Sequence, residues 1–212
     1  MKFEYIIFDL GGVVFIHGGL HSSILLPILK ANGELIEEPV LKAKVHAIDR
    51  GELTESKFWR EIEISNYEKI RKNFMDKTLS SIDPNFEQLT LNLKGKIKLG
   101  IMSNVASEWA DDFFDFPSLK GIFNIQVISG KEGFSKPEPE LYDILIKKCN
   151  CDPNKILFID DKLINLKVAN EKGIKTVWMV RKPKIPEDFI PDYIISDLLQ
   201  IEELIEEQKK II

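Results

Sequence analysis

Four short stretches of this chain carry residues able to do chemistry: FDLGG around Asp9, MSN ending on Ser103 and Asn104, SKPEP around Lys136, and FIDD ending on Asp160 and Asp161. Taken singly each is ordinary. An aspartate that closes a strand is usually a turn or cap residue, Ser-Asn is common in loops, and Asp-Asp before a helix can serve as an N-cap aided by the helix dipole. Together they supply carboxylates, an ammonium, a hydroxyl and an amide from separate segments. Neighbouring carboxylates repel one another unless a cation lies among them. An oxygen-rich set without histidine suits Mg²⁺, which takes one or two carboxylates, waters and substrate phosphate oxygens. Formally, Asp9, Asp160, Asp161 and Lys136 leave a charge of −2, which one Mg²⁺ cancels, so that a phosphate can approach. The glycines after Asp9 allow a sharp turn, freeing the Gly11 carbonyl for metal and nearby amides, that of Gly12 included, for phosphate. A carboxylate beside phosphorus can act as nucleophile, forming an acyl-phosphate that water hydrolyses.

The elements that must position these groups are legible from apolar runs. EYIIFD, IKLGIMS, KILFID and KTVWMV read as strands buried on both faces, with a weaker run, IQVIS, between the second and third. Helical patterns alternate with them: SEWADDFFDF, PELYDILIKKC with proline at its first helical position, and KLINLKVANEKG stopped by Gly173. DYIIS is a candidate last strand or edge, followed by a terminal helix, LLQIEELIEEQKK. Alternating strands and helices predict an α/β fold, a Rossmann-like parallel sheet core flanked by helices. In such sheets ligands bind beyond the carboxyl ends of the strands, which is where Asp9, Ser103, Asn104, Asp160 and Asp161 fall.

Asp9 and Ser103 are 94 residues apart, whereas a strand–helix–strand unit needs only about 30. The surplus reads as helices only: SSILLPILKANG, PVLKAKVHAIDRG, TESKFWREI with Thr54 as N-cap, and NYEKIRKNFMDKTL. This predicts a small all-helical cap inserted after the first strand, residues 18–83, on a core of residues 1–17 and 84–212. PNFEQLTLNLKG then returns the chain to the core. Phe58 and Trp59 are expected to pack inside the cap.

A composition of 44% apolar and 30% charged residues is that of a globular domain. A net charge of −5 with no basic run argues against non-specific binding to nucleic acid or to membrane surfaces. No apolar run approaches the roughly 18 residues of a membrane span, and Glu4 and Asp9 break up any signal peptide. Cys149 and Cys151 do not have the spacing of a zinc or redox pair. They are expected as free thiols in a reducing cytoplasm.

FDLGGVV, MSNV, SKPEPELY and FIDDKLINLKVAN, in that order, resemble the four motifs of haloacid dehalogenase-like (HAD) hydrolases. The helical insert is similar to the small helical cap of subfamily I. By that resemblance Asp9 is the nucleophile and Gly11 lends a carbonyl to the metal. Ser103 and Asn104 hold the phosphoryl group, and Lys136 neutralises and orients it. Asp161 is the second metal ligand, Asp160 binds directly or through water, and Asn165 stands behind them. The activity implied is Mg²⁺-dependent hydrolysis of a small phosphorylated metabolite, such as a sugar phosphate.

The chain departs from the family at one position. Most phosphatases of this kind read Asp-x-Asp, the second acid protonating the leaving alcohol and then activating water. Here that position is Gly11, which has no side chain to transfer a proton. Help of that kind contributes about 10²–10⁴-fold in rate. Three alternatives follow: another group such as His17 or water serves, the leaving group needs little protonation, or turnover is slow. His17 lies where the family has a mobile hairpin; a surface or hinge position is its default, as it is for His21, and His46 reads as a cap-helix residue. The dehalogenase branch also lacks the second acid, but it needs no metal and lacks the paired acids of FIDD. A weakly active binding or regulatory protein is the further alternative.

Overall fold

The computed structural model describes residues 3–64, 66–182 and 189–210. Its sheet is built from β1 (Tyr5–Phe8), β2 (Lys98–Ser103), β3 (Ile125–Ile128), β4 (Ile156–Asp160), β5 (Lys175–Met179) and β6 (Tyr193–Ile195). All pairings are parallel, in the order β3-β2-β1-β4-β5-β6. The helices are α1 (Leu26–Ala31), α2 (Glu38–Asp49), α3 (Glu55–Glu61), α4 (Tyr67–Leu79) and α5 (Pro84–Leu93). They continue as α6 (Ser107–Asp115), α7 (Ser129–Glu132), α8 (Pro139–Cys149), α9 (Leu163–Glu171) and α10 (Gln200–Lys210). The fold is the α/β, Rossmann-like arrangement that the apolar runs predict.

The strands are buried along their lengths because both faces are covered. Ile6, Phe8, Leu157 and Ile159 point into one apolar cluster, while Tyr5, Ile7, Ile156 and Phe158 point into the other, the period of two that a pleated strand imposes. Local signals set the helix ends. The Thr54 hydroxyl accepts the Lys57 N–H ahead of α3, Asp83 caps α5 through the Asn85 N–H at 2.8 Å, and Gly173 follows α9 at φ +81°. The weaker runs IQVIS and DYIIS are the two edge strands, β3 and β6. The short α7, which starts at Ser129 directly after β3, had no sequence signal.

Between β1 and β2 the described residues form a π-helical turn, His21–Leu25, and then α1 to α5. Their apolar faces join those of the sheet in one continuous cluster. Phe58 and Phe74 set their rings against Trp109 of α6 at 5.6 and 5.0 Å, and Phe15 meets Phe113 of the same helix at 5.2 Å. One oxygen of Glu55 accepts from the indoles of Trp59 (3.0 Å) and Trp109 (2.7 Å) and from Arg71 Nε (2.6 Å). The helical segment is thereby seated on α6. No helix among the described residues is long and apolar enough to cross a membrane.

β1 lies at the point where the strand order reverses, with β2 on one side and β4 on the other. A crevice opens at such a switch point beyond the strand ends. Phe8 pairs with Ile101 and with Ile159, so one residue further on Asp9 stands level with Met102 and Asp160.

Candidate functional site

The crevice is filled by the residues of the four stretches. Asp9 keeps its backbone N–H in the sheet, donating to the Ile159 carbonyl at 2.9 Å, while its side chain leaves the strand end. Its Oδ1 accepts the Leu10 N–H and the Ser103 hydroxyl, both at 2.7 Å, and lies 2.9 Å from Lys136 Nζ. Lys136 also donates to Asp160 Oδ2 at 2.6 Å and sits 5.3 Å from the centre of the Phe158 ring. Asp160 is further fixed by the Lys162 N–H at 2.8 Å and by the Asn165 amide, which reaches both carboxylate oxygens at 3.0 Å. Lys136, Asp9 and Asp160 are all buried. Burial disfavours the ammonium, yet Asp160 and Asp9 outweigh it and hold Lys136 above the usual lysine range.

Two loops are locked to place these groups. The Asn104 side chain accepts the Lys136 N–H at 2.7 Å and donates to the Lys136 carbonyl at 2.9 Å, a reciprocal clamp between the second and third stretches. The Ser129 hydroxyl accepts the Val105 N–H at 2.9 Å, which anchors the turn after β2. Arg181 does the same for the first stretch. It donates to the carbonyls of Gly12 (3.1 Å) and Val13 (2.7 Å) and pairs with Asp83 at 2.7 Å. Nothing in the sequence near Arg181 signals this reach, because the contacts span from β5 to the loop after β1.

Asp9, Asp160 and Asp161 each offer an oxygen within 4.8 Å of the others. Asp161 Oδ1 is buried and has no hydrogen-bond partner. Burial, then Asp9, then Asp160 raise the Asp161 carboxyl to about 7. The donor set is all oxygen, Lys136 offsets only part of its charge, and one of its atoms is orphaned, which fits a hard divalent cation such as Mg²⁺.

The two glycines after Asp9 prove unequal. Gly12 has φ +81°, and a Cβ there would lie 2.5 Å from Asp161 Oδ2. It alone makes the turn, its N–H donating to the His17 carbonyl at 3.0 Å, and it stands against Asp161. Gly11 lies outside the left-handed region, and a Cβ there would meet nothing closer than the His17 carbonyl at 3.5 Å. Gly11 is therefore not required by backbone geometry.

A cavity of about 120 Å³ opens over Asp9, Gly11, Ser103, Asn104 and Lys136. Its other walls include Trp109, Lys162, and His21, His46 and Asp49 from the helical segment. His17 is exposed and lies outside this lining; its carbonyl, not its ring, meets the site. Burial, followed by His46 and Lys162, holds the His21 imidazole below the ordinary histidine value. Asp49 and Lys162 were not legible as site residues. Lys162 reads as the residue before an ordinary helix, and Asp49 ends another, brought to the crevice by the packing of α2 on the His21–Leu25 turn and α7.

A family model described as haloacid dehalogenase-like hydrolase matches residues 6–179. The bifunctional epoxide hydrolase 2 of Sus scrofa is 27% identical over 113 residues, half of this chain and 20% of that protein. Pyrimidine 5'-nucleotidase YjjG of Escherichia coli is 25% identical over 53% of this chain and 52% of its own length. The chain thus spans a fifth to about half of these relatives. A HAD family enzyme of Bacteroides thetaiotaomicron, solved as an Asp-to-Ala mutant with magnesium and inorganic phosphate, superposes with a TM-score of 0.66. It is 25% identical, over 89% of this chain and 97% of that one.

Proposed function

Because this chain belongs to the haloacid dehalogenase-like hydrolases, we propose that it is a Mg²⁺-dependent phosphatase that hydrolyses a small phosphorylated metabolite through an aspartyl-phosphate on Asp9. What carries this function is the setting of Asp9, whose Oδ1 is held by Ser103 and Lys136 beside two further carboxylates at the mouth of a small cavity. Residues 18–83 act as the cap and residues 1–17 with 84–212 as the core. The free thiols Cys149 and Cys151 suit a reducing cytoplasm.

Asp9, Asp160 and Asp161, with the Gly11 carbonyl, would hold Mg²⁺, which when bound offsets the charge of the phosphate oxygens. The chain's own residues do the rest. Ser103 and Asn104 hold the phosphoryl group. Asp9 attacks phosphorus as the bond to the leaving oxygen breaks, and Lys136 offsets charge on the phosphoryl oxygens from its fixed place between Asp9 and Asp160. Water then cleaves the acyl-phosphate and frees Asp9. Asn165 keeps Asp160 oriented through its amide. The cavity's small volume suits a compact phosphate ester such as a sugar phosphate.

The test is a panel of phosphorylated metabolites incubated with and without Mg²⁺, with wild type beside Asp9→Asn. Phosphate release that needs Mg²⁺ and vanishes in Asp9→Asn is expected. Equal rates in the two proteins would overturn the function. So would chloride release from a 2-chloro acid that is insensitive to EDTA, which marks a dehalogenase.

A further inference from the structure

We propose that Asp49 is the proton donor and acceptor of this reaction, supplied by α2 in place of the acid that the first motif lacks at Gly11; this rests on the phosphatase function above. Asp49 is the last residue of α2 and lines the same cavity as Asp9, Ser103 and Lys136. The same cavity is walled by Asn104 and Val105, so Asp49 shares it with the phosphate-holding segment. The acid thus reaches the cavity from a helix, while the nucleophile comes from the sheet.

Its neighbours fix it there. Arg50 forms an ion pair with Glu138, two residues after Lys136. Gly51, at φ +71°, sits so close to Gly130 that a Cβ would lie 2.5 Å from the Gly130 carbonyl oxygen. The end of α2 is therefore docked on the loops that carry Lys136 and anchor Asn104. The charged and titratable groups that share the cavity with Asp49 are Asp9 and Lys136 on the sheet side, Lys162 ahead of α9, His46 on its own helix and His21 on the preceding turn. Of the histidines, His21 is held by burial below the ordinary histidine value, which favours its neutral form.

Withdrawal from water raises the Asp49 carboxyl to about 7, opposed by Lys162 and by the Ala106 N–H. Both forms are then populated near neutral pH, as a group that must give and retake a proton requires. In the first step Asp9 oxygen bonds to phosphorus, the ester P–O bond breaks, and the Asp49 proton passes to the departing alkoxide, releasing an alcohol. In the second step Asp49, now a carboxylate, takes a proton from water as the water oxygen bonds to phosphorus and the bond to Asp9 breaks. Phosphate leaves, and Asp49 and Asp9 return to their starting states.

The assay compares Asp49→Asn with wild type on two Mg²⁺-supported substrates. One is an alkyl ester such as a sugar phosphate, whose alkoxide needs a proton. The other is p-nitrophenyl phosphate, whose phenolate does not. The proposal expects kcat on the alkyl ester to fall by about 10²-fold or more, with formation of the acyl-phosphate from the aryl ester nearly unchanged. It also expects loss of the limb of the alkyl-ester pH profile that reports the acid. Equal loss in the rate of acyl-phosphate formation from both substrates, or no loss on either, overturns the role of Asp49 and leaves the phosphatase standing. Failure of wild type on both overturns the phosphatase itself, and the role of Asp49 with it. Should Asp49→Asn not fold, wild-type rates across esters of graded leaving-group basicity decide. A shallow dependence supports an acid in the site, and a steep one overturns it.

Discussion

Replacing Lys136 by methionine should unbalance the site in a way that the distances allow to be worked out. Its Nζ lies 2.9 Å from Asp9 and 2.6 Å from Asp160, with side chains 2%, 8% and 0% exposed. Methionine fills the aliphatic volume and leaves two carboxylates facing each other without a cation. Removing one partner of a buried ion pair costs about 3–5 kcal/mol, because the remaining charge is uncompensated. Asp160 retains the Lys162 N–H and the Asn165 amide, and Asp9 retains Leu10 and Ser103, so the lower end, about 3 kcal/mol, is the expected value. For a chain of this size about 1 kcal/mol lowers Tm by about 2–4 °C, which gives a fall of about 6–12 °C.

The measurement is thermal and urea unfolding at neutral pH in EDTA, with Asp160→Asn introduced both alone and in the Lys136→Met background. Asp160→Asn removes one of the opposed charges, so the double variant should be more stable than Lys136→Met alone, with a coupling energy of about 0.5–3 kcal/mol. Two results would refute the reasoning. One is a Lys136→Met protein that melts within about 2 °C of wild type. The other is a double variant whose loss is the sum of the single losses, which would mean that the ammonium does not hold the carboxylates together.

The unequal glycines give a second expectation. Gly12→Ala combines a left-handed backbone with a Cβ 2.5 Å from Asp161 Oδ2 and should cost about 1–3 kcal/mol in urea unfolding, together with the Mg²⁺-induced rise in Tm. Gly11→Ala meets only ordinary contacts and should stay within about 0.5 kcal/mol of wild type; a larger loss would show that Gly11 is held for its conformation. Glu55→Gln keeps an oxygen for the two indoles but leaves Arg71 Nε without its anionic partner, so a loss of about 1–3 kcal/mol is expected. An unchanged urea midpoint would show that this network does not hold α3 to α6.

Most of the sheet was legible because its signals are local. YIIF and ILFID announce strands covered on both faces, and Asp9 and Asp160 stand where those runs end. IQVI read weakly for a physical reason: β3 is an edge, and Gln126 faces solvent. Thr54, Pro139 and Gly173 mark helix ends through bonds and dihedrals formed within a few residues. What could not be read is what depends on contacts between segments far apart in the chain. Asp49 is one polar residue among several on an amphipathic helix, and Arg181 reaches back some 168 residues to Val13. Gly11 and Gly12 are identical as letters; only the packing of Asp161 against the second separates a required glycine from a tolerated one.

The position of the acid ties its placement to contacts outside the first motif. A carboxylate at position 11 would travel with β1 and be present whenever the nucleophile is. One at position 49 is carried by α2, so its place depends on the contacts that seat that helix. The seating contacts converge on the third stretch. Ser135 donates its N–H to Glu138 at 2.6 Å, Glu138 pairs with Arg50, and Lys136 of the same turn reaches Asp9. Arg50, first, and the Ser135 N–H hold the Glu138 carboxyl down at about 2, so this pair is ionised throughout the range in which Asp49 titrates. Substrate charge at Lys136 and docking of α2 at Glu138 thus act on one short segment. Weakening the Arg50–Glu138 pair should therefore disturb Asp49 and Lys136 together, and Arg50→Ala should lower phosphate release without abolishing it.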